Sequence, residues 1–104
     1  MSKDEIKTQT NQLMFGKWSY VSKELEIDIV ITKDKITVRK KENGVELPPK
    51  SFLTRSSWDG NYLRFHGEKQ YYIVSATKKY LIFGENENGI LNQKIWEVKL
   101  EKVK

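Results

Sequence analysis

From Gly16 to the carboxyl-terminal region, apolar and polar residues alternate. Leu25, Ile27, Ile29 and Ile31 enclose Glu26, Asp28 and Val30; Ile36 and Val38 sit among Lys35, Thr37 and Arg39; Trp96, Val98 and Leu100 sit among Glu97, Lys99 and Glu101. Successive side chains of a strand point to opposite faces, so a period of two with one polar face predicts antiparallel strands covering a single core. The pattern places strands at 17–22, 25–32, 35–42, 45–47, 51–58, 61–66, 70–76, 79–84 and 93–101. Ahead of them the pattern is helical. Ser2 stands where a hydroxyl accepts a first-turn amide, and Glu5, three residues on, reaches back to complete a capping box. Ile6, Leu13 and Met14 recur near helical spacing, while Thr8, Thr10 and Asn11 are weak helix formers, so a short helix within 2–14 is predicted.

The breaks between strands are short. Asn43-Gly44 and Asp59-Gly60 are dipeptides that a type I′ hairpin favours, because both central residues need positive φ. With Asn43-Gly44 as a two-residue loop, Val38 and Lys40 share a face with Val45 and Leu47. The same treatment of Asp59-Gly60 puts Phe52 and Thr54 on the face of Leu63 and Phe65. Pro48-Pro49 ends a strand because proline cannot donate to a ladder, and the one long connection runs from Gly84 to Asn92. No crossover helix fits between such strands, so neighbours in sequence become neighbours in space. A meander of this length closes on itself to remove exposed edges. The fold predicted is all-β: a small antiparallel up-and-down barrel, closed or nearly closed, of eight or nine short strands with an amino-terminal helix, in one domain over 1–104. A two-sheet sandwich is the alternative.

Composition narrows the chemistry. The chain has no cysteine and one histidine, which excludes disulfides, thiolate metal sites and multi-histidine sites. The charged amino terminus lacks the apolar core of a secretory signal, and no stretch approaches the roughly 18 apolar residues that span a bilayer. A cytoplasmic protein with no membrane partner is expected, or an extracytoplasmic one if a signal has been removed. The net charge of +5 permits contact with polyanions, but lysines and glutamates are interspersed, as in "KELEID" and "EVKLEK".

Gly16-x-Trp18 opens the first strand after a helical lead-in, and the meander ends in a strand carrying Trp96. This layout resembles the lipocalin and wider calycin group, in particular its compact bacterial lipocalin-like domains. The resemblance implies that the lead-in helix closes one barrel end, that Gly16 allows its close approach, that Trp18 forms the floor and that the interior holds a small apolar or amphipathic molecule. It also implies a basic residue near the end of the last strand packed on the tryptophan. Arginine is absent there, and Lys99 and Lys102 are the residues available. The strands are shorter than lipocalin strands, which implies a smaller cavity or none.

No catalytic constellation is present. There is no Gly-x-Ser-x-Gly and no glycine-rich phosphate loop, and His66 beside Gly67 reads as a solvated strand-end residue. Glu26 with Asp28, and Glu97 with Glu101, share faces, but those faces are the polar ones, where carboxylates stay solvated. A non-catalytic protein without cofactor or metal is expected. Tyr71 and Tyr72 must point to opposite faces, and an inward tyrosine hydroxyl needs a partner from a ligand or another side chain.

Tyr72 is assigned inward, and Trp18, Thr54, Ser56, Phe65, Tyr72 and Trp96 are the candidate lining of a site for a small hydrophobic ligand. A protein-interaction or inhibitor module is the second reading, using a connection such as 84–92 with Asn86-Glu87-Asn88 at its tip. Nucleic-acid binding is the third, through a basic stripe of Lys35, Arg39 and Lys41, although lysine on an outward strand face also serves to prevent edge pairing.

Overall fold

A computed structural model describes residues 2–90 and 92–104, so Met1, and Leu91 within the long connection, lie outside the described residues. Helix α1 (Lys3–Leu13) begins as its sequence directs: the Ser2 hydroxyl accepts from the Glu5 amide at 3.2 Å, and the Glu5 carboxylate accepts from the Ser2 amide at 3.4 Å. Thr10, a weak helix former, is used as a fastener. Its hydroxyl donates to the Ile6 carbonyl at 2.6 Å and accepts from the buried Ala76 amide at 3.2 Å, tying the helix to the sheet.

Ten strands follow: β1 (Gly16–Val21), β2 (Leu25–Ile31), β3 (Lys35–Glu42), β4 (Val45–Glu46), β5 (Lys50–Leu53), β6 (Ser56–Asp59), β7 (Tyr62–Phe65), β8 (Tyr71–Ala76), β9 (Tyr80–Asn86) and β10 (Lys94–Lys102). Every pairing is antiparallel, in the order β4-β3-β2-β1-β10-β9-β8-β7-β6, with β5 also on β3. Two meanders therefore join through the first and last strands, where Trp18 faces Lys102.

The strand expected at 51–58 is divided. The Thr54 amide donates to Asp34 at 3.1 Å and its hydroxyl to the Thr32 carbonyl at 2.8 Å, whereas the Arg55 carbonyl accepts from the His66 amide at 2.9 Å. Adjacent residues thus bond to opposite edges, so β5 belongs to β3 and β6 to β7. Among the described residues no ladder joins β5 to β6, and the sheet is not closed by hydrogen bonds.

The Asn43-Gly44 hairpin has the expected geometry, with φ of 50° and 83° at the two central residues. The other hairpin differs: Asp59 pairs with Tyr62, so its loop is Gly60-Asn61, with glycine at the first central position and φ of 61°. That is the requirement of a type II′ turn. Ser56 then faces Phe65 rather than Leu63, a slip of two residues that leaves the faces unchanged.

The core takes the odd positions of β2 and β9 and the even positions of β1 and β3. In β8 the register shifts between Ile73 and Ser75, which brings Ala76 onto the buried face of Tyr71 and Ile73. Trp18 is buried beneath the helix end, and its indole N–H donates to the Met14 carbonyl at 2.9 Å. The Lys102 ammonium lies 4.5 Å from the Trp18 ring centre and donates to the Phe15 carbonyl. Gly16 has a φ of 125° and a methyl group there would collide with the Lys102 side chain, so the close approach it permits is by Lys102 rather than by the helix. No described helix is long and apolar enough to cross a membrane.

Candidate functional site

The inward face of the sheet ends, at the side remote from the contact of α1 with β8, in a cluster of aromatic and charged side chains. Strand register brings it together: Tyr71 of β8 faces Glu85 of β9, which faces Trp96 of β10. Lys40 shares the buried parity of Ile36 and Val38 on β3. Phe52, from β5, stacks on Tyr71 with ring centres 5.7 Å apart and planes 1° from parallel, and it meets Phe65 at 5.3 Å. Tyr71 also contacts Phe83 at 5.6 Å and Trp96 at 6.4 Å, while Phe83 and Trp96 stack at 6.0 Å. This continuous stack fills the space between the strands at this end.

Charge closes the end of the stack. The Lys40 ammonium meets a Glu85 carboxylate oxygen at 2.8 Å, and the two side chains are only 13% and 11% exposed. The same ammonium lies 5.7 Å from the Tyr71 ring centre, and that of Lys50 lies 5.8 Å from it. Lys50 in turn approaches Glu68 at 3.8 Å. Burial acts to lower the pKa of Lys40, but the hydrogen bond to Glu85 and the neighbouring negative charge outweigh it and hold the ammonium above its ordinary value. The Tyr71 hydroxyl is raised as well, chiefly by burial and then by the charge of Glu85, against the opposing effect of Lys40.

Tyr71 is fully buried, and the Lys40 ammonium is placed to donate to its oxygen, but among the described residues neither the Tyr71 O–H nor the buried indole N–H of Trp96 has an acceptor. Two desolvated donors without acceptors are a cost in a folded protein unless something else supplies the acceptor.

The residues expected to line a pocket are dispersed. Phe65 and Trp96 belong to this cluster, but Trp18 lies at the opposite end under α1. Thr54 spends its hydroxyl on the bend between β5 and β6, and Ser56 is half-buried on β6 opposite Phe65. Tyr72 is on the other face from the one expected. It is the outward tyrosine, laid across the backbone of Gly84, edge-on to Tyr62 at 5.1 Å, with its hydroxyl donating to Glu97 at 2.8 Å. The inward tyrosine is Tyr71, because strand parity ties it to Ile73.

Lys35, Arg39 and Lys41 do project outward from β3, but as part of a mixed surface: Arg39 faces Asp28 and Lys41 faces Glu26 across the β2 ladder, the latter pair at 4.0 Å. The expected long connection is also shorter. Gly84, Glu85 and Asn86 extend β9, and Asn86 is wholly buried rather than at a loop tip. The loop after it is anchored by the Arg64 guanidinium, which donates to the Gly89 carbonyl at 2.5 Å.

Lys40 and Glu85 are the members that residue-type reasoning passed over. Lys40 carried a positional signal, a charge at the buried parity of Ile36 and Val38, while Glu85 takes the parity of Leu81 and Phe83 only because β9 runs on past 84. Comparisons of the chain with protein-family models, curated proteins and solved structures return no match, so function is argued from this geometry.

Proposed function

We propose that the chain is a non-catalytic, lipocalin-like binding domain that takes a small amphipathic molecule at the Lys40–Glu85 end of its sheet, with the interior itself filled. In this reading the sheet is a flattened barrel whose seam is the Thr54–Arg55 bend, and α1 covers the other end. The observation that carries it is the pair of buried, unpartnered donors, the Tyr71 hydroxyl and the Trp96 indole N–H, beside two ammonium groups. Two donors without acceptors on an aromatic wall, flanked by Lys40 and Lys50 that are already paired with Glu85 and Glu68, suit a molecule with an acceptor head, such as a carboxylate, and a short apolar body that lies against Phe52 and Trp96. A ligand sunk between Trp18 and Phe65 is not part of this reading, because side chains occupy that space. The alternating charges on β2 and β3 disfavour a phosphate-tracking stripe.

Titration with a series of medium-chain carboxylates, followed by tryptophan fluorescence and by the Trp96 indole N–H resonance, tests the proposal. Saturable binding is expected, with the Trp96 resonance moving and that of Trp18 unmoved. Replacing Tyr71 by Phe should weaken binding by about tenfold, the loss of one hydrogen bond to a charged acceptor. The apo protein should hold its stability, since Tyr71→Phe deletes a buried hydroxyl whose proton has no acceptor and Lys40 keeps its bond to Glu85. No saturable response from any member of the series, or full affinity in Tyr71→Phe, overturns the reading.

A further inference from the structure

A concavity of about 340 Å³ lies between the first turns of α1, the β6–β7 hairpin and β8. Its floor is apolar, made by Ile6, Trp58 and Val74, and its helical rim carries Lys3 and Lys7. Those lysines are four residues apart and so stand on one side of the helix. The Lys7 ammonium lies 5.6 Å from the Trp58 ring centre, and the indole N–H donates to the Asn11 side chain at 3.2 Å, which fixes the ring from the helix side. The helix acids Asp4 and Glu5 line a neighbouring depression instead, with Gln9 and Leu13, so among the described residues the charged rim of this groove is Lys3 and Lys7. Val74 is the residue at which the β8 register shifts. A bulge aims a side chain out of the regular alternation, and here it places an aliphatic group on the groove floor.

From this we infer that the α1–β6 groove is a docking site for an acidic segment of a partner protein, one that inserts a leucine or phenylalanine onto Trp58 and sets carboxylates against Lys3 and Lys7. Charge decides the occupant. The chain carries a net charge of +5, which steers acidic partners toward it and opposes a second copy of itself. An apolar floor with charged residues at its margin is also the arrangement in which one buried side chain supplies affinity and the rim supplies selection.

The test uses the full chain and three labelled peptides: Glu-Asp-Leu-Phe-Asp-Glu, its charge-inverted form Lys-Lys-Leu-Phe-Lys-Lys, and Glu-Asp-Gly-Ser-Asp-Glu, which lacks the anchor. Binding is followed by fluorescence polarisation and by amide and indole resonances. The first peptide should bind saturably and move the Trp58 indole and Val74 amide signals, and the other two should bind at least about tenfold more weakly. Lys3→Glu with Lys7→Glu should reduce its affinity by about tenfold or more while leaving circular dichroism and carboxylate binding at Trp96 unchanged. Equal binding of the anchorless peptide, shifts away from Trp58, binding unaffected by the lysine substitutions, or occupation of the groove by a second copy in sedimentation overturns the inference. The Trp58 and Trp96 readouts are separate, so either site can fail without the other.

Discussion

Tyr72 lies over a glycine because no other residue leaves room for it: a Cβ at Gly84 would sit 2.3 Å from the tyrosine ring. The phenol is held there by Glu97, which also meets Lys94 at 3.2 Å, so one carboxylate fixes two partners on the outer face. Burial, and then the Glu97 carboxylate, push the Tyr72 hydroxyl well above its ordinary value of 10.0. The folded state therefore holds this proton at a pH where the unfolded chain has released it. Stability from this group is whole below about pH 10 and falls as pH rises further, because the unfolded state then binds fewer protons. Lys40, also raised, acts in the same direction from its ordinary value of 10.5 upward. The midpoint of thermal unfolding should stay level from about pH 7 to about pH 9 and drop beyond about pH 10. Tyr72→Phe should cost about 1.5–3 kcal/mol at neutral pH for the lost hydrogen bond to a carboxylate, lowering the midpoint, and should flatten the alkaline fall. An alkaline limb equally steep in Tyr72→Phe would place its origin elsewhere.

At the scale of elements, what was legible in the chain was whatever a strand or turn decides locally. Period two located nearly every strand, and the capping box fixed the start of α1. What depends on partner choice left no mark. Nothing in Thr54-Arg55 resembles a turn, and the strand divides there only because one residue bonds to Asp34 and the next to His66. The register shift in β8 was hidden in the same way, since Val74 is a good strand residue. Parity made Lys40 readable on the face of Val38, whereas Glu85 fell just beyond the strand expected at 79–84; that they meet is a property of the sheet order, since they stand 45 positions apart. Thr10 shows the same limit, a poor helix former locally and a tether globally. Thr10→Val keeps the shape but strands the buried Ala76 amide, so it should cost about 1–3 kcal/mol. Hydrogen exchange should quicken at Ala76 and along α1 more than in β2 and β3, and uniform quickening would show that the threonine holds no particular element.

For the molecule as a whole, the open seam is the feature from which the rest follows. The β1–β10 ladder joins the two meanders on one side; with no ladder between β5 and β6 among the described residues, side chains must hold them together at the seam. Phe52 is the main one, since it starts from β5 and packs on Phe65 of β7 and Tyr71 of β8. The Lys40–Glu85 pair makes a second tie from β3 to β9. Both ties lie at the end where the unpartnered donors are, so the place that binds a ligand in our proposal is also where the sheet is least secured by backbone. Removing the ring should therefore do two things at once. Phe52→Ala should destabilise the chain by roughly 2–4 kcal/mol, at the lower part of the range for aromatic truncation because Phe52 is half-buried. It should also loosen β5 and β6 selectively, because local opening begins where few contacts cross. Hydrogen exchange would then rise in Lys50–Leu53 and Ser56–Asp59 ahead of β1, β2 and β10, and an environment-sensitive apolar dye should bind where it does not bind the parent. If exchange rises equally in all strands, the seam is no weaker than the ladders, and the side-chain ties are ordinary core packing.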